Sequence, residues 1–268
     1  MSTPHLLCNE RDGIIEVIFN RPEKFNALTR EMYDGLARAV EALTLREDLR
    51  VMLIRSTGKY FSAGMDLSAM EAVKVDEAAG STSEFRRNYR DNAYHWLFDA
   101  MEAVEKPIVV AHHAPCLGGA LEMSLSCDFR LAGQSAQYGL PEMNIAMIPG
   151  SGGTSRLVRT VGTHWARWLI MASEQIDAER ALAAGLVHRV IPDAELEQAA
   201  WDFCVKLCKQ PQEAMRMAKL AIELAGDLGR AQGRNVERLA NSALFFGNER
   251  AATMEILKQR LSGGKGGR

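Results

Sequence analysis

Short apolar runs bounded by turn residues predict strands in the first half of the chain, at residues 13–20, 51–56 and 107–112. Between the first two runs, a helical pattern begins after Thr29, whose hydroxyl can cap it, and continues to about Leu45. The apolar positions of this helix fall on one face: Met32, Leu36, Val40 and Leu43. Strands that alternate with helices predict an α/β core.

Beyond about residue 160 the pattern changes to helix after helix. Helical spacing covers residues 193–209, 212–225, 235–246 and 249–261, and only residues 186–191 resemble a strand. Residues 71–90 are polar and predict a surface loop, which leads to a helix ending near Glu105. We therefore predict a core over residues 1–195, a C-terminal helical region over 196–261 and a disordered tail over 262–268.

The composition is that of an ordinary globular protein, with 268 residues, 47% apolar and 25% charged residues, and a net charge of −2. This balance argues against a strongly basic nucleic-acid binder. The longest stretch free of Asp, Glu, Lys and Arg, residues 107–121, is shorter than the roughly 20 residues of a membrane span. No secretory signal is visible at the N-terminus, and five cysteines without framework spacing favour a reducing compartment. We expect a cytoplasmic protein with no nucleic-acid or membrane partner.

Candidate chemistry concentrates in a glycine-rich stretch. Seven of the 22 glycines fall between Gly118 and Gly153, where Glu122 and Glu142 stand in mostly uncharged surroundings. Residues 117–122 follow a predicted strand and could open a helix whose free amides bind a developing anion. From the residues alone, the simpler interpretations are that Glu122 is an acid favoured by a helix dipole and that Glu142 is a solvated loop acid.

Other patterns do not support a site. Residues 148–154 lack the Gly-Lys-Ser/Thr ending of a phosphate loop and the third glycine of a dinucleotide fingerprint. Cys204 and Cys208 have no second pair of ligands, so we expect no metal site. His112 and His113 should point to opposite faces of a strand, and one of them is expected to be buried or capping.

Four segments resemble, in order and separation, the signatures of the enoyl-CoA hydratase/isomerase (crotonase) family. They are residues 20–28 (NRPEKFNAL), 61–67 (FSAGMDL), 117–130 (LGGALEMSLSCDFR) and 138–157 (YGLPEMNIAMIPGSGGTSRL). The resemblance implies a spiral of ββα units with a C-terminal helical region that assembles homotrimers, often paired as hexamers. It also implies an acyl-CoA thioester substrate, an enolate-like intermediate and no separate cofactor, since CoA is part of the substrate.

The resemblance also assigns site residues. The backbone N–H groups of Met65 and Gly119 would form an oxyanion hole, and Glu122 and Glu142 would be the two acids found in hydratases. The cleft for the CoA nucleotide would be formed by Lys24, Phe25, Ala27, Ala63, Asp66 and Leu67.

Having both acids favours a hydratase that adds water to a trans-2-enoyl-CoA to give a 3-hydroxyacyl-CoA. Glu122 would activate water and Glu142 would protonate the α-carbon, because two carboxyl groups in unlike environments can divide the two proton transfers. The alternatives are an isomerase with Glu142 as the lone proton shuttle, an acyl-CoA hydrolase, or a non-catalytic CoA-binding oligomer.

The chain departs from the family pattern at Ser68, where many hydratases have a lysine, and at Ala120, which replaces a third glycine. Residues 71–96 form a longer segment than in short-chain hydratases. Their aromatic residues are expected either to accommodate a bulkier or aromatic acyl group or to fill the core: Phe85, Tyr89, Tyr94 and Trp96.

Overall fold

A computed structural model of the chain describes residues 4–66 and 93–263. Within these ranges the strands form two sheets, and we number them in chain order. The larger sheet has the order β1 (Leu6–Arg11), β2 (Ile14–Phe19), β3 (Val51–Ser56), β4 (Ile108–His112), β6 (Phe129–Gly133) and β9 (Arg189–Ile191). The smaller sheet has the order β5 (Cys116–Leu117), β7 (Gln137–Gly139) and β8 (Ile176–Asp177).

The helices are also numbered in chain order. They are α1 (Arg30–Leu45), α2 (Ala93–Ala103), α3 (Gly119–Leu125), α4 (Gly153–Ala166), α5 (Ala178–Ala183), α6 (Leu196–Cys208), α7 (Gln212–Asp227), α8 (Arg230–Leu244) and α9 (Asn248–Gly263). Short 3-10 helices occupy Pro22–Lys24, Pro141–Ile145 and Asp193–Glu195, and a π-helical turn occupies Arg167–Met171.

The chain winds as a spiral, because successive turns supply one strand to each sheet and then a helix. One turn consists of β4, β5 and α3, and the next consists of β6, β7 and α4. Equivalent strands pair in parallel, β4 with β6 and β5 with β7. The preceding turn joins the smaller sheet through a parallel bridge between Ser62 and Cys116. The predicted α/β spiral of ββα units is confirmed.

Both faces of the larger sheet are covered by helices, and side chains of β3 alternate between them. Met52 and Ile54 lie in the same cluster as the apolar face of α1, whereas Val51 and Leu53 pack with α6. Burial on both faces explains why the central strands are continuous apolar runs. The predicted strands at 13–20, 51–56 and 107–112 are confirmed by β2, β3 and β4.

Helix α1 is also confirmed. The hydroxyl of Thr29 accepts a hydrogen bond from the Met32 N–H at 3.3 Å, as an N-cap residue does. The helix ends at Leu45, and its predicted apolar positions are buried in the core: Met32, Leu36, Val40 and Leu43. The sequence pattern therefore determines both the start of the helix and its orientation against the sheet.

Several strands were not predicted, and one was predicted too long. Strand β9 covers only Arg189–Ile191, because Leu186 and Val187, although buried, lie in the turn that precedes it. Strand β1 is an edge strand with mostly exposed residues, and β5, β7 and β8 are two or three residues long. Segments this short contain too few positions for a period to be recognised.

The C-terminal helices differ in how they pack. Helix α6 buries Ala200 and Cys204 against the larger sheet, so it belongs to the core, although the predicted core ends at residue 195. The later helices and the turn between α8 and α9 leave large apolar side chains exposed, including Phe246 of that turn at 90%. A trimer or hexamer that covers them stays a prediction. Helix α9 extends to Gly263, two residues into the predicted tail, and residues 264–268 lie outside the described ranges.

In the parts of the chain that the structure describes, no helix is long and apolar enough to cross a membrane. The five cysteines are all free thiols, and four of them are buried. Cytoplasmic localisation stays a prediction.

A buried asparagine, Asn26, connects its own loop with the loop at residues 57–60. Asn26 is fully buried with φ of 52°. Its side-chain N–H groups donate to the carbonyls of Thr57 at 2.6 Å and Tyr60 at 2.9 Å, and its carbonyl accepts from the Arg21 N–H at 2.7 Å. Three backbone groups therefore depend on this one side chain.

We expect Asn26→Ala to lower the free energy of unfolding by about 3 kcal/mol, because three partly buried backbone groups lose their partner. Urea unfolding measures this change. Asn9→Ala is the control, since Asn9 is exposed and its side chain donates only to Glu16 among the described residues, at 3.1 Å. The control should change stability by less than about 0.5 kcal/mol. Equal losses in the two variants would contradict the prediction.

Candidate active site

The site is built around the first residues of α3. Gly118 precedes the helix with φ of 54° and ψ of −133°, a conformation that favours glycine. Its N–H donates to the Gly139 carbonyl at 2.9 Å, which fixes α3 to β7. Gly119 is the first residue of α3, where a backbone N–H has no acceptor within the helix.

A second glycine packs against this helix start. A Cβ atom on Gly64 would lie 2.9 Å from the Leu117 carbonyl oxygen and 3.2 Å from the Gly119 nitrogen. Such distances are too short for any other residue at position 64. The absence of a side chain therefore lets the loop before Met65 approach the N-terminus of α3.

The Met65 amide points into the same space. Leu28 donates its N–H to the Gly64 carbonyl at 2.8 Å and accepts from the Asp66 N–H at 3.1 Å, so the intervening Met65 N–H is directed away from Leu28. A Cβ atom on Gly119 would lie 3.6 Å from the Met65 nitrogen. The two predicted oxyanion residues, Met65 and Gly119, are thus brought together.

Glu122 lies one turn into α3 and is only 4% exposed. One carboxylate oxygen, Oε1, accepts from the N–H groups of Ser151 at 2.8 Å and Gly153 at 3.2 Å. Burial raises the pKa of Glu122, and the two amide donors and the charge of Arg156 oppose that rise. Glu122 is therefore held rigidly by the loop before α4, and not merely placed in the field of its own helix.

Glu142 occupies the first turn of the 3-10 helix Pro141–Ile145. Its Oε1 atom would lie 3.1 Å from a Cβ atom on Gly118, while its Oε2 atom is buried and lacks a hydrogen-bond partner among the described residues. Burial, with the charge of Glu122 as a smaller cause, raises the pKa of Glu142 to about 7. The interpretation of Glu142 as a solvated loop acid is wrong.

The two acids meet at the N-terminus of α3 in unlike environments. Two amides stabilise the ionised form of Glu122, whereas nothing among the described residues stabilises charge on Oε2 of Glu142. The arrangement therefore favours ionisation of Glu122 over ionisation of Glu142, whose pKa of about 7 leaves both of its forms populated at neutral pH. Two carboxyl groups with different hydrogen bonding therefore lie near the backbone amides of Met65 and Gly119.

The residues predicted for the CoA cleft lie on two adjoining loops. The Ala63 N–H donates to the Phe25 carbonyl at 2.9 Å. The guanidinium of Arg21 donates to the Ala27 carbonyl at 3.1 Å and to the Asp66 carboxylate at 2.6 Å. Asp66 thus already has a partner that ties the loops together. Lys24 and Phe25 are exposed at the rim, and Leu67 lies outside the described residues.

The segment predicted to shape the acyl pocket is only partly described. Residues 67–92, with Ser68, Phe85 and Tyr89, lie outside the described ranges. Trp96 is 65% exposed, so it does not fill the core. The ring of Tyr94 packs on Tyr33 of α1, with their centroids 3.9 Å apart.

The amide donors of Ser151 and Gly153 were not predicted from the sequence, because the glycine-rich run at residues 150–153 does not show where its N–H groups point. His95 was not predicted either; its Nδ1 atom lies 2.9 Å from the Ser151 hydroxyl, so it helps to hold that loop. The amides of Ser151 and Gly153 support Glu122 from a segment that is 29 to 31 residues away in the chain.

His112 is the buried member of the histidine pair, as expected. Its ring nitrogens lie 2.9 Å from the Ser124 hydroxyl and 3.1 Å from the Tyr138 hydroxyl, and burial lowers its pKa to about 3. His113 instead contacts the Gly58 carbonyl. Across residues 4–66 and 93–263 no group of three or more His, Cys, Asp or Glu side chains could hold a metal ion.

Comparison with known proteins agrees with this geometry. Residues 9–256 match the family described as enoyl-CoA hydratase/isomerase. A probable mitochondrial enoyl-CoA hydratase 2 of Arabidopsis thaliana is 34% identical over 91% of this chain and 78% of that protein. The enoyl-CoA isomerase/hydratase fer4 of Mycosarcoma maydis is 30% identical over 94% of this chain and 92% of that protein.

A solved structure is similar over nearly the same extent. The enoyl-CoA hydratase subunit I of Geobacillus kaustophilus superposes with a TM-score of 0.87 at 28% identity, covering 96% of each chain. The spiral fold, the paired acids and these matches over most of the chain lead to one conclusion: the chain belongs to the enoyl-CoA hydratase/isomerase family.

Proposed function

We propose that the protein is an enoyl-CoA hydratase, which adds water to a trans-2-enoyl-CoA to give a 3-hydroxyacyl-CoA. The observation that carries this proposal is the pair of acids at the start of α3, one held by two amides and the other buried with an unpartnered oxygen. Hydration needs a base for water and an acid for the α-carbon, and these environments suit the two tasks.

In this reaction Glu122 removes a proton from water while the oxygen of that water bonds to C3 of the enoyl group. The electrons of the double bond move towards the thioester, whose oxygen gains negative charge. The N–H groups of Met65 and Gly119 stabilise this oxygen, and preorganised donors of this kind contribute about 2.7–4 kcal/mol each in other enzymes. Glu142 then gives its proton to C2, which completes the addition of water.

The same loops suggest how the substrate is held. The CoA moiety would lie along the loops at residues 24–27 and 63–66, with its thioester at Met65 and Gly119. Metal and cofactor are not required, since the charge that develops is held by backbone amides and the protons are moved by the two acids.

Replacing either acid should abolish most hydration. We expect Glu122→Gln and Glu142→Gln each to lower kcat by about 10²- to 10⁴-fold, because each removes one proton transfer. The loss of absorbance of crotonyl, long-chain and cinnamoyl thioesters measures hydration, and mass spectrometry of the 3-hydroxyacyl product confirms it. The exposed Glu41→Gln on α1 is the control and should retain wild-type activity.

Other results would identify other reactions. If Glu122→Gln keeps double-bond isomerisation and Glu142→Gln loses it, the protein is an isomerase, and the hydratase assignment is excluded. Binding of CoA thioesters by calorimetry without turnover of any of them would indicate a non-catalytic CoA-binding protein.

The amide support of Glu122 can be tested separately. A Cβ atom on Gly153 would lie 2.6 Å from Cγ and 2.7 Å from Oε1 of Glu122, so Gly153→Ala must displace the carboxylate. We expect kcat to fall roughly 10²-fold with a much smaller change in KM, since a misplacement of about 1 Å has effects of this size. Gly226→Ala on α7 is the control, because its Cβ would meet only Arg159 at 3.9 Å. If the two variants have equal kcat values, the Ser151–Gly153 loop does not position the Glu122 carboxylate.

The raised pKa of Glu142 predicts a pH-dependent effect on stability. The folded state disfavours ionised Glu142, so its contribution to stability is fully present below pH 4.5 and is lost as the pH rises towards 7. The side chain of Glu142→Gln cannot ionise. The melting temperature of this variant relative to that of the wild type should therefore be higher at pH 8 than at pH 5. Thermal unfolding at both pH values measures the difference. A constant difference would show that Glu142 ionises as easily in the folded protein as in the unfolded chain.

A further inference from the structure

One polar atom beside the thioester space has no assigned role. The hydroxyl of Tyr33 on α1 is buried and has no hydrogen-bond partner among the described residues. A buried hydroxyl without a partner is unfavourable, so its presence needs an explanation. Tyrosine hydroxyls in a core normally find a partner.

The position of this hydroxyl relates it to the predicted oxyanion residues. From a Cβ atom on Gly119, the Tyr33 hydroxyl oxygen would lie at 3.7 Å and the Met65 nitrogen at 3.6 Å. The hydroxyl and the two amides therefore surround one small space at the start of α3. The Met65 side chain borders the same space, since its Cγ atom would lie 3.1 Å from that Cβ atom.

The ring of Tyr33 is held so that its hydroxyl cannot easily turn elsewhere. Its centroid lies 3.9 Å from that of Tyr94 and 6.1 Å from that of Phe98, both on α2. Burial raises the pKa of Tyr33, with the charges of Tyr94 and Glu122 as smaller causes, so the hydroxyl keeps its proton. It is a rigid, neutral donor at all ordinary pH values.

We propose that Tyr33 is a third hydrogen-bond donor of the oxyanion hole, whose hydroxyl donates to the thioester oxygen of the bound acyl-CoA beside the N–H groups of Met65 and Gly119. The proposal rests on the proposed function in one respect only, namely that the ligand is an acyl-CoA thioester. It does not depend on which reaction the two acids carry out. The substrate oxygen then supplies the acceptor that the hydroxyl lacks.

The test uses acetoacetyl-CoA, a 3-ketoacyl thioester whose enolate absorbs in the near ultraviolet. A site that stabilises negative charge on the thioester oxygen lowers the pKa of the bound ligand. We expect Tyr33→Phe, which keeps the ring, to raise that pKa by about one unit, a tenfold loss of enolate stabilisation. With an enoyl-CoA substrate, kcat should fall about 10- to 100-fold with little change in KM.

Stability separates this role from a structural one. Tyr33→Phe removes an unpartnered hydroxyl, so its melting temperature should equal or exceed that of the wild type. Tyr138→Phe is the matched control, because it removes a buried hydroxyl that lies 3.1 Å from His112. The control should melt at a lower temperature and leave the pKa of bound acetoacetyl-CoA unchanged.

The outcomes are distinct. An unchanged ligand pKa in Tyr33→Phe, or a lower melting temperature with reduced activity, would overturn the proposal.

If the wild type hydrates enoyl-CoA and Tyr33→Phe leaves the ligand pKa unchanged, the hydratase function stands and the role of Tyr33 fails. If no enoyl-CoA is hydrated but Tyr33→Phe still raises the ligand pKa, the role of Tyr33 stands and the hydratase function fails. A wild type that does not stabilise the enolate would overturn the proposal as well.

Discussion

The close contact between Gly64 and the start of α3 is the constraint on which the site depends. A Cβ atom on Gly64 would lie 2.9 Å from the Leu117 carbonyl oxygen, so the contact requires glycine. It brings the Met65 amide from one turn of the spiral to the Gly119 amide of the next. The spiral provides this approach because β3, β4 and β6 are parallel neighbours, and the loops that follow them therefore emerge at the same edge.

The difference between the two acids follows from the segments that surround them. Glu122 has little contact with solvent, yet two amides from the loop before α4 stabilise its charge. Glu142 is less buried, but its Oε2 atom has no donor among the described residues and the nearby charge of Glu122 opposes its ionisation. Burial raises the pKa of both acids, and the two amide donors oppose that rise at Glu122, so hydrogen bonding contributes to the difference between them.

The sequence was most informative where a pattern is local. The apolar face of α1 and its Thr29 cap, and the continuous runs of β2 to β4, could be read because each depends on neighbouring residues. Strands of two residues such as β5 carry no such pattern. The amides of Ser151 and Gly153 were invisible for another reason, since a backbone N–H has no sequence identity and only the fold brings it to Glu122. Glu122 and Glu142 stood out in the glycine-rich stretch, but only the family resemblance assigned them to one site, because spacing alone did not place them together.

Among the residues that the structure describes, two polar atoms near α3 have no hydrogen-bond partner: Oε2 of Glu142 and the hydroxyl of Tyr33. Each such atom typically destabilises a folded protein by about 1–3 kcal/mol. A phenylalanine at position 33 would pack on Tyr94 equally well and would leave no hydroxyl unpaired. Both atoms border a space enclosed by glycines, where a ligand can approach the backbone. The proposed role of Tyr33 gives one of these atoms a partner, because the oxygen of a bound thioester would accept the hydrogen bond that the protein alone leaves open.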